Sequence, residues 1–129
     1  MKFERLTECE EVVMKTVWDS DEELCLMEIM DKVNKKYNRE WKPQTVSTFL
    51  AKLVRKGYVA HYRQGRQFYY KILVPLKEYK GKLTNEYIKF WHHENADEFL
   101  RALMKERDLR PDEIEGIKAF IAKQNIKTT

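Results

Sequence analysis

Cysteine, glycine and long hydrophobic runs are scarce in this sequence, and each scarcity excludes a class of protein. Two of the 129 residues are cysteine, and no CxxC spacing is present. Cys9 and Cys25 therefore predict reduced packing residues, not a disulfide framework or a thiolate metal site. No segment approaches the roughly 18 apolar residues of a membrane-spanning helix, and the N-terminal residues MKFERLTECEE lack the apolar stretch of a secretory signal. We expect a cytoplasmic protein without a membrane segment.

The motifs that usually carry catalysis are absent as well. With only four glycines, the chain has no glycine-rich phosphate loop, and it contains neither the G-x-S-x-G nucleophile elbow nor the H-E-x-x-H zinc motif. His92 and His93 are adjacent, and neighbouring side chains on a helix point about 100° apart, so they cannot both face one ion without unwinding. We therefore expect no enzymatic activity, no cofactor and no bound metal.

Positive charge is concentrated in the middle of the chain. Although the net charge is only +4, eleven basic residues lie between Lys32 and Lys71 inclusive, and Glu40 is the only acid among them. A basic centre between mixed or acidic flanks indicates a surface that binds a polyanion. A solvated basic face is the alternative that composition leaves open.

The first 74 residues predict three helices followed by a β-hairpin. Thr7 and Glu10 have the spacing of a capping box, which marks the start of the first helix. The best cap position for a second helix is Cys25, although cysteine is a poor capping residue. A third helix runs from about residue 43 to 56, and Gly57 then has the position of a left-handed cap. The β-rich segments YVAHYR and QFYYKILV are joined by the turn QGR. This order is typical of a winged helix-turn-helix DNA-binding domain over residues 1–74.

Residues 75–129 predict three further amphipathic helices, so the fold class is mainly α with a small β-hairpin. The apolar faces of these helices are rich in aromatic side chains, and three short helices cannot shield such faces alone. We therefore expect residues 75–129 to form a helical dimerisation domain that completes its core with a second copy of the chain. The residues predicted at this dimer interface are Leu83, Tyr87, Trp91, Phe99, Leu103, Ile117 and Phe120.

The third helix carries most of the residues that we expect to bind DNA. The exposed side of its N-terminal half is small and polar, which suits a helix that approaches base edges in the major groove. The predicted base-reading residues are Gln44, Thr45, Ser47 and Thr48, and the predicted DNA-backbone contacts are Lys42, Lys52, Arg55, Arg63 and Arg66. For Lys52 and for Lys56, taken individually, a solvated lysine is as compatible with the sequence as a phosphate contact. An ordinary hydrated helix surface is the alternative for the whole face.

Lys42 stands where a helix-capping residue is expected. Pro43 suits a first helical position, and the residue before it is then usually Ser, Thr, Asp or Asn. A cation there opposes the positive end of the helix dipole, whereas a DNA phosphate would supply the anion that this end attracts. Lys42 is therefore either a phosphate contact or a tolerated departure from good capping.

The stretches LTECEEVVMKTVW and KPQTVSTFLAKLVRKGYVAHYRQGRQFYYKIL have the order and spacing of a known family. They resemble the penicillinase repressor family, the BlaI/MecI/CopY type, and EYKGKLTNEYIKFW with EFLRALMKERDLRPDEIEGIKAFI resembles its dimerisation region. The resemblance implies a homodimeric winged-helix transcriptional repressor that binds a palindromic operator with TACA and TGTA half-sites. It places the recognition-helix positions of the family on Gln44, Thr45, Ser47 and Thr48.

The resemblance also implies two ways of relieving repression, and the sequence departs from both. The Asn–Phe bond that a membrane metalloprotease sensor cuts in resistance repressors aligns with Ala102-Leu103, so the cleavage signal is absent. Copper-type members carry a C-terminal Cys-x-Cys pair, which the tail KQNIKTT lacks. Two other functions remain open, namely a winged-helix module that binds an acidic protein and a sensor that holds an effector or a metal near His92 and His93.

Overall fold

A computed structural model describes residues 3–124 of the chain; residues 1–2 and 125–129, which include most of the KQNIKTT tail, lie outside the described part. The described residues form six helices and three strands. In chain order these are α1 (Glu8–Trp18), β1 (Leu24–Cys25), α2 (Leu26–Lys36), α3 (Pro43–Arg55), β2 (Val59–Gln64), β3 (Gln67–Ile72), α4 (Leu76–Trp91), α5 (Ala96–Glu106) and α6 (Pro111–Lys123). The predicted fold class, mainly α with a small β-hairpin, is confirmed.

Local capping contacts explain where the first two helices begin. At α1 the Thr7 hydroxyl accepts from the Glu10 backbone N–H at 3.3 Å, and the Glu10 carboxylate accepts from the Thr7 N–H at 2.8 Å. This reciprocal pair is the predicted capping box. At α2 the cap residue is Cys25, and the Glu28 carboxylate accepts from its backbone N–H at 3.0 Å. The start that the sequence left uncertain is thus held by a glutamate in the first turn.

Helix α3 ends sharply, as predicted. Gly57 has φ +81°, in the left-handed region that glycine adopts without strain. The Gly57 N–H donates to the Val54 carbonyl and the Tyr58 N–H donates to the Leu53 carbonyl, both at 3.0 Å. These two bonds form a Schellman motif, which closes the helix and directs the chain into the hairpin.

The sheet has three strands in the order β1-β3-β2, all antiparallel. The predicted hairpin pairs Val59 with Ile72 at its base and Gln64 with Gln67 at its tip. Gly65, with φ +68°, provides the positive φ of the tight turn between β2 and β3. The short strand β1 was not predicted, because two residues carry too little periodicity to be recognised.

The hydrophobic core lies between helices α1, α2 and α3 and the sheet. Its fully buried side chains from the three helices are Val13, Met14, Ile29, Val33, Val46, Leu50 and Leu53. Each such side chain contributes roughly 1.5–3 kcal/mol on burial. Because α3 is held by the face that carries Val46, Leu50 and Leu53, its opposite face is left on the surface.

The chain divides into two compact units between Thr84 and Asn85, within α4. The start of α4 belongs to the first unit because Tyr79 is buried there, with its ring 5.4 Å from the ring of Trp18 and 5.7 Å from that of Tyr58. The predicted division after residue 74 lies ten residues earlier, just before α4 begins, and stays a prediction. None of the helices in residues 3–124 combines the length and the apolar character needed to cross a membrane.

The second unit contains the end of α4 together with α5 and α6. Asn95 caps α5, since its side-chain oxygen accepts from the backbone N–H groups of Asp97 and Glu98 at 3.1 and 3.3 Å. The Arg107 guanidinium holds the start of α6 through two bonds to the Glu113 carboxylate, at 3.0 and 2.8 Å. No residue of α5 or α6 is buried within the described chain.

Candidate nucleic-acid interface

The N-terminus of α3 has no anionic or side-chain cap. Lys42 occupies the cap position in an extended conformation, with φ −91° and ψ 161°, and its side chain makes no capping hydrogen bond. The Lys42 carbonyl accepts from the N–H groups of Thr45 and Val46, at 3.0 and 3.2 Å. No acidic residue lies in the first turn. The first turn of α3 therefore supplies no negative charge to the positive end of the helix dipole.

The predicted base-reading residues lie together on the side of α3 that faces away from the core. Gln44 and Thr48 are exposed, while Thr45 and Ser47 are half-buried. The Thr48 hydroxyl donates to the Gln44 carbonyl at 3.0 Å. Thr48 therefore offers its oxygen as an acceptor and its methyl group as an apolar contact, and its hydroxyl proton is already used.

Five exposed cations surround this face. Lys42, Lys52 and Arg55 lie at the start and along the second half of α3, and Arg63 and Arg66 lie at the tip of the hairpin. The Arg63 Nε donates to the Gly65 carbonyl at 3.1 Å, which holds the side chain against the turn. Among the described residues, none of the five forms an ion pair with an acid. Their charges are available to an external anion.

Lys56 differs from these cations because it is paired inside the fold. Its ammonium donates to the Glu10 carboxylate at 2.6 Å, and the two side chains are only 15% and 2% exposed. Burial acts to raise the pKa of Glu10, but the hydrogen bonds from Lys56 and Thr7 and the Lys56 charge outweigh it, so that pKa lies below its ordinary value. Lys56 is therefore neither a solvated lysine nor a free phosphate contact, and no pattern in the sequence indicates its partner 46 residues away.

The hairpin carries aromatic side chains that the sequence analysis did not assign to a site. Tyr62 and Tyr69 stack at 5.9 Å on one face, and the Tyr62 hydroxyl donates to Glu23 at 2.6 Å, which raises the pKa of that tyrosine. On the other face Phe68 lies opposite Arg63 and contacts the ring of His61 at 5.2 Å. The cross-strand alternation of these residues could have indicated both aromatic pairs.

The histidines of the second unit follow the end of α4 at Trp91, so they do not occupy adjacent helical positions as the sequence analysis assumed. The His92 imidazole lies 3.3 Å from the Glu98 carboxylate and packs on the rings of Tyr87 and Phe99. His93 is exposed and has φ +52°. In residues 3–124 no group of three or more His, Cys, Asp or Glu side chains is arranged to hold a metal ion.

The predicted dimer-interface residues differ in exposure. Tyr87, Trp91 and Phe120 are exposed, whereas Phe99, Leu103 and Ile117 are half-buried within the second unit. Leu83 instead packs against the core of the first unit. The bond between Ala102 and Leu103, which aligns with the protease site of resistance repressors, lies inside α5.

Comparison with known proteins supports the same architecture. The family model described as "Penicillinase repressor" matches residues 6–123. The methicillin resistance regulatory protein MecI of Mammaliicoccus sciuri is 26% identical over 86 residues, which cover 67% of this chain and 70% of that protein. The penicillinase repressor of Bacillus licheniformis is 22% identical over 113 residues, which cover 88% and 86% of the two chains.

A solved structure also resembles the winged-helix part of the chain. The solution structure of the DNA-binding domain of the repressor BlaI aligns with a TM-score of 0.52 and 28% sequence identity, covering 60% of this chain and 92% of that domain. The observed order of three helices and a hairpin is therefore the fold of a repressor's DNA-binding domain. The chain belongs to the penicillinase repressor family.

Proposed function

We propose that the protein is a homodimeric transcriptional repressor that binds a palindromic operator, with α3 in the major groove and the hairpin against the DNA backbone. The observation that carries this proposal is the surface of α3, where an N-terminus without a side-chain cap and a small polar face are surrounded by five exposed cations that pair with no acid in the described part of the chain. Membership of a repressor family supports it. We propose half-sites of the TACA and TGTA type.

Base recognition is assigned to the first two turns of α3. The exposed Gln44 carboxamide has the donor and acceptor that pair with the N6 and N7 edge of adenine. Thr48, whose hydroxyl proton is given to the Gln44 carbonyl, offers its methyl group to the thymine methyl. Thr45 and Ser47 are small enough to let the helix backbone approach the bases.

Lys42 is assigned to a phosphate. A phosphate at the start of α3 would accept from the Gln44 backbone N–H, which the Lys42 carbonyl leaves free, and would satisfy the helix dipole, and the Lys42 ammonium would add a direct charge contact. In the free protein the same lysine is a poor cap. Lys42→Ser is therefore expected to stabilise the free protein by about 1 kcal/mol. It should also lower the salt slope of dimer binding by about 2, since each lost phosphate contact removes about 0.9.

The salt dependence of Lys42→Ser decides between the two interpretations of Lys42. Affinity measured from low to physiological salt should show the flatter slope, while urea unfolding should show the gain in stability. An unchanged slope would mean that Lys42 is a tolerated imperfection and not a phosphate contact.

Dimerisation is assigned to the second unit. Its aromatic side chains are unusually exposed for a helical lobe, with Phe90 at 76%, Trp91 at 61% and Phe120 at 63%. Exposed apolar side chains of this size mark an interaction surface. A second copy of the same lobe would cover them and would place two copies of α3 on the two halves of a palindrome.

The experiment that tests the proposed function compares variants on a TACA/TGTA palindrome and on scrambled DNA of the same length. Gln44→Ala is expected to lose about 1–3 kcal/mol on the palindrome and little on scrambled DNA. Arg63→Ala is expected to weaken binding to both DNAs equally, because it contacts the backbone. Equal losses on both DNAs for Gln44→Ala would refute base recognition by α3.

A further inference from the structure

The turn between α2 and α3 is fastened by one side chain. The Asn34 carboxamide nitrogen donates to the Trp41 carbonyl at 3.1 Å, and the Asn34 carboxamide oxygen accepts from the Trp41 N–H at 3.0 Å. The Asn34 backbone carbonyl also accepts from the Arg39 N–H at 3.2 Å. The Asn34 side chain thus satisfies both the N–H and the carbonyl of Trp41, as an opposing residue does in an antiparallel hydrogen-bonded pair.

Trp41 connects this fastening to α3. Its ring lies 5.0 Å from the ring of Phe49, which is on the second turn of α3, and the Arg39 guanidinium lies 5.6 Å from the Trp41 ring. The next residue, Lys42, occupies the N-cap position of α3, and its carbonyl accepts the first two helical hydrogen bonds. Trp41 is therefore held by α2 through its backbone and by α3 through its side chain.

Within the first turn of α3, the hydrophobic core holds only Val46. Pro43 and Gln44 are exposed, and Val46 is the first fully buried residue of the helix. The first turn also lacks a side-chain cap and an acidic residue. The position of the residues before Val46 therefore depends also on the backbone that leads into the helix, and Asn34 binds that backbone at Trp41.

We propose that Asn34 is a positioning residue for DNA recognition. Its carboxamide fixes the backbone of Trp41, and through it the direction of the first turn of α3, which carries Gln44 and Thr45. This inference rests on the proposed function, because it concerns the residues assigned to base reading. Asn34 lies on α2 and does not itself touch the bases.

The variant Asn34→Ala separates positioning from overall stability. Asparagine is a poor helix former, and alanine is the best, so the gain in helix preference at this position of α2 offsets part of the lost bonding. The fold should therefore persist while the start of α3 loosens. Val17→Ala is the matched control, since Val17 is buried in α1 and its truncation lowers stability by leaving a cavity in the core.

The test measures DNA binding and amide hydrogen exchange on the full chain. For Asn34→Ala, affinity for the TACA/TGTA palindrome should fall about tenfold, close to the discrimination given by one well-aligned base contact. Affinity for scrambled DNA should stay within about twofold, because phosphate contacts supply it. The Trp41 amide should exchange at least tenfold faster than in the wild type, as should the amides of Thr45 and Val46.

Each other outcome has a distinct meaning. If Val17→Ala lowers the palindrome-to-scrambled ratio as much as Asn34→Ala, the effect is general destabilisation and the positioning role is overturned. If Asn34→Ala keeps wild-type discrimination, or leaves the three amides protected, the role is overturned while the proposed function stands. If the wild type itself does not discriminate between the palindrome and scrambled DNA, the proposed function fails. Faster exchange in Asn34→Ala then reports a structural role alone, and the positioning role in DNA recognition is overturned as well.

Discussion

Replacing Lys56 with methionine is expected to destabilise the fold substantially. Methionine keeps much of the aliphatic length of lysine but removes the ammonium, which leaves the Glu10 carboxylate without the partner that lies 2.6 Å away. Removing one partner of a buried ion pair typically costs 3–5 kcal/mol. Because the Lys56 side chain is 15% exposed and water can reach it, we expect a loss of about 3 kcal/mol. This is a large part of the roughly 5–15 kcal/mol that stabilises an ordinary domain.

The effect of Lys56→Met should depend on pH with a definite sign. The pKa of Glu10 is lowered in the folded protein from its ordinary value of 4.5. A carboxyl with a lowered pKa contributes stability that is complete above its unfolded pKa and is lost as the pH falls through its folded pKa. Once Glu10 is protonated and neutral, the loss of the Lys56 ammonium no longer leaves an unpaired buried charge. The difference in unfolding free energy between wild type and variant should therefore be constant near pH 7 and narrow below pH 4.5.

Urea unfolding at pH 7 and pH 4 measures this difference, and Lys52→Met provides the control. Lys52 is exposed on the same helix, so its replacement should change stability by no more than about 0.5 kcal/mol. In DNA binding the roles should reverse: Lys52→Met should flatten the salt dependence, and Lys56→Met should leave it unchanged. A Lys56→Met protein with the wild-type urea midpoint, or one whose loss of stability grows on acidification, would show that the Lys56–Glu10 ion pair does not stabilise the fold in this way.

Three further substitutions test the packing of α4 and the second unit. Tyr79→Phe removes the hydroxyl that donates to Glu11 at 2.6 Å and accepts from the Leu6 N–H at 3.3 Å. Urea unfolding should show that the free energy of unfolding falls by about 1–2 kcal/mol, and wild-type stability would exclude a stabilising role for these bonds. Gly81→Ala should raise the melting temperature, because an added Cβ meets no atom within 4 Å and alanine is favoured in a helix by roughly 0.5–1 kcal/mol; a lower melting temperature would show that the helix is constrained there. Trp91→Ala should shift sedimentation at micromolar concentration towards the monomer, and an unchanged dimer fraction would remove Trp91 from the interface.

Features of the fold that are encoded by nearby residues could be predicted from the sequence. The capping box joins Thr7 to Glu10 across one turn, and the left-handed cap at Gly57 depends on glycine itself. The hairpin follows from two β-rich segments around Gly65. In each case the residues that decide the structure lie within a few positions of one another, so the pattern is visible in the chain.

Features that depend on the tertiary fold could not be predicted. Lys56 and Glu10 meet only because the end of α3 packs beside the start of α1, and helical periodicity cannot show which lysine finds a buried acid. In the sequence, Asn34 is only a weak helix former near the end of a helix. Its two bonds to Trp41 form only when the turn between α2 and α3 is folded. For the candidate site, helical periodicity predicted that the polar side of α3 lies on the surface. It did not determine the role of Lys56, and it did not indicate a role for Asn34.

The proposed function requires that two copies of α3 bind the two halves of a palindrome. The most direct measurement is the ratio of dissociation constants for scrambled DNA and for a TACA/TGTA palindrome, obtained by fluorescence anisotropy at physiological salt. Specific repressors bind their sites at least about 10³-fold more tightly than other DNA, and we expect a ratio of that order, with one dimer bound per palindrome. A ratio near one, or saturation with a single monomer per palindrome, would rule out a dimeric repressor of this operator.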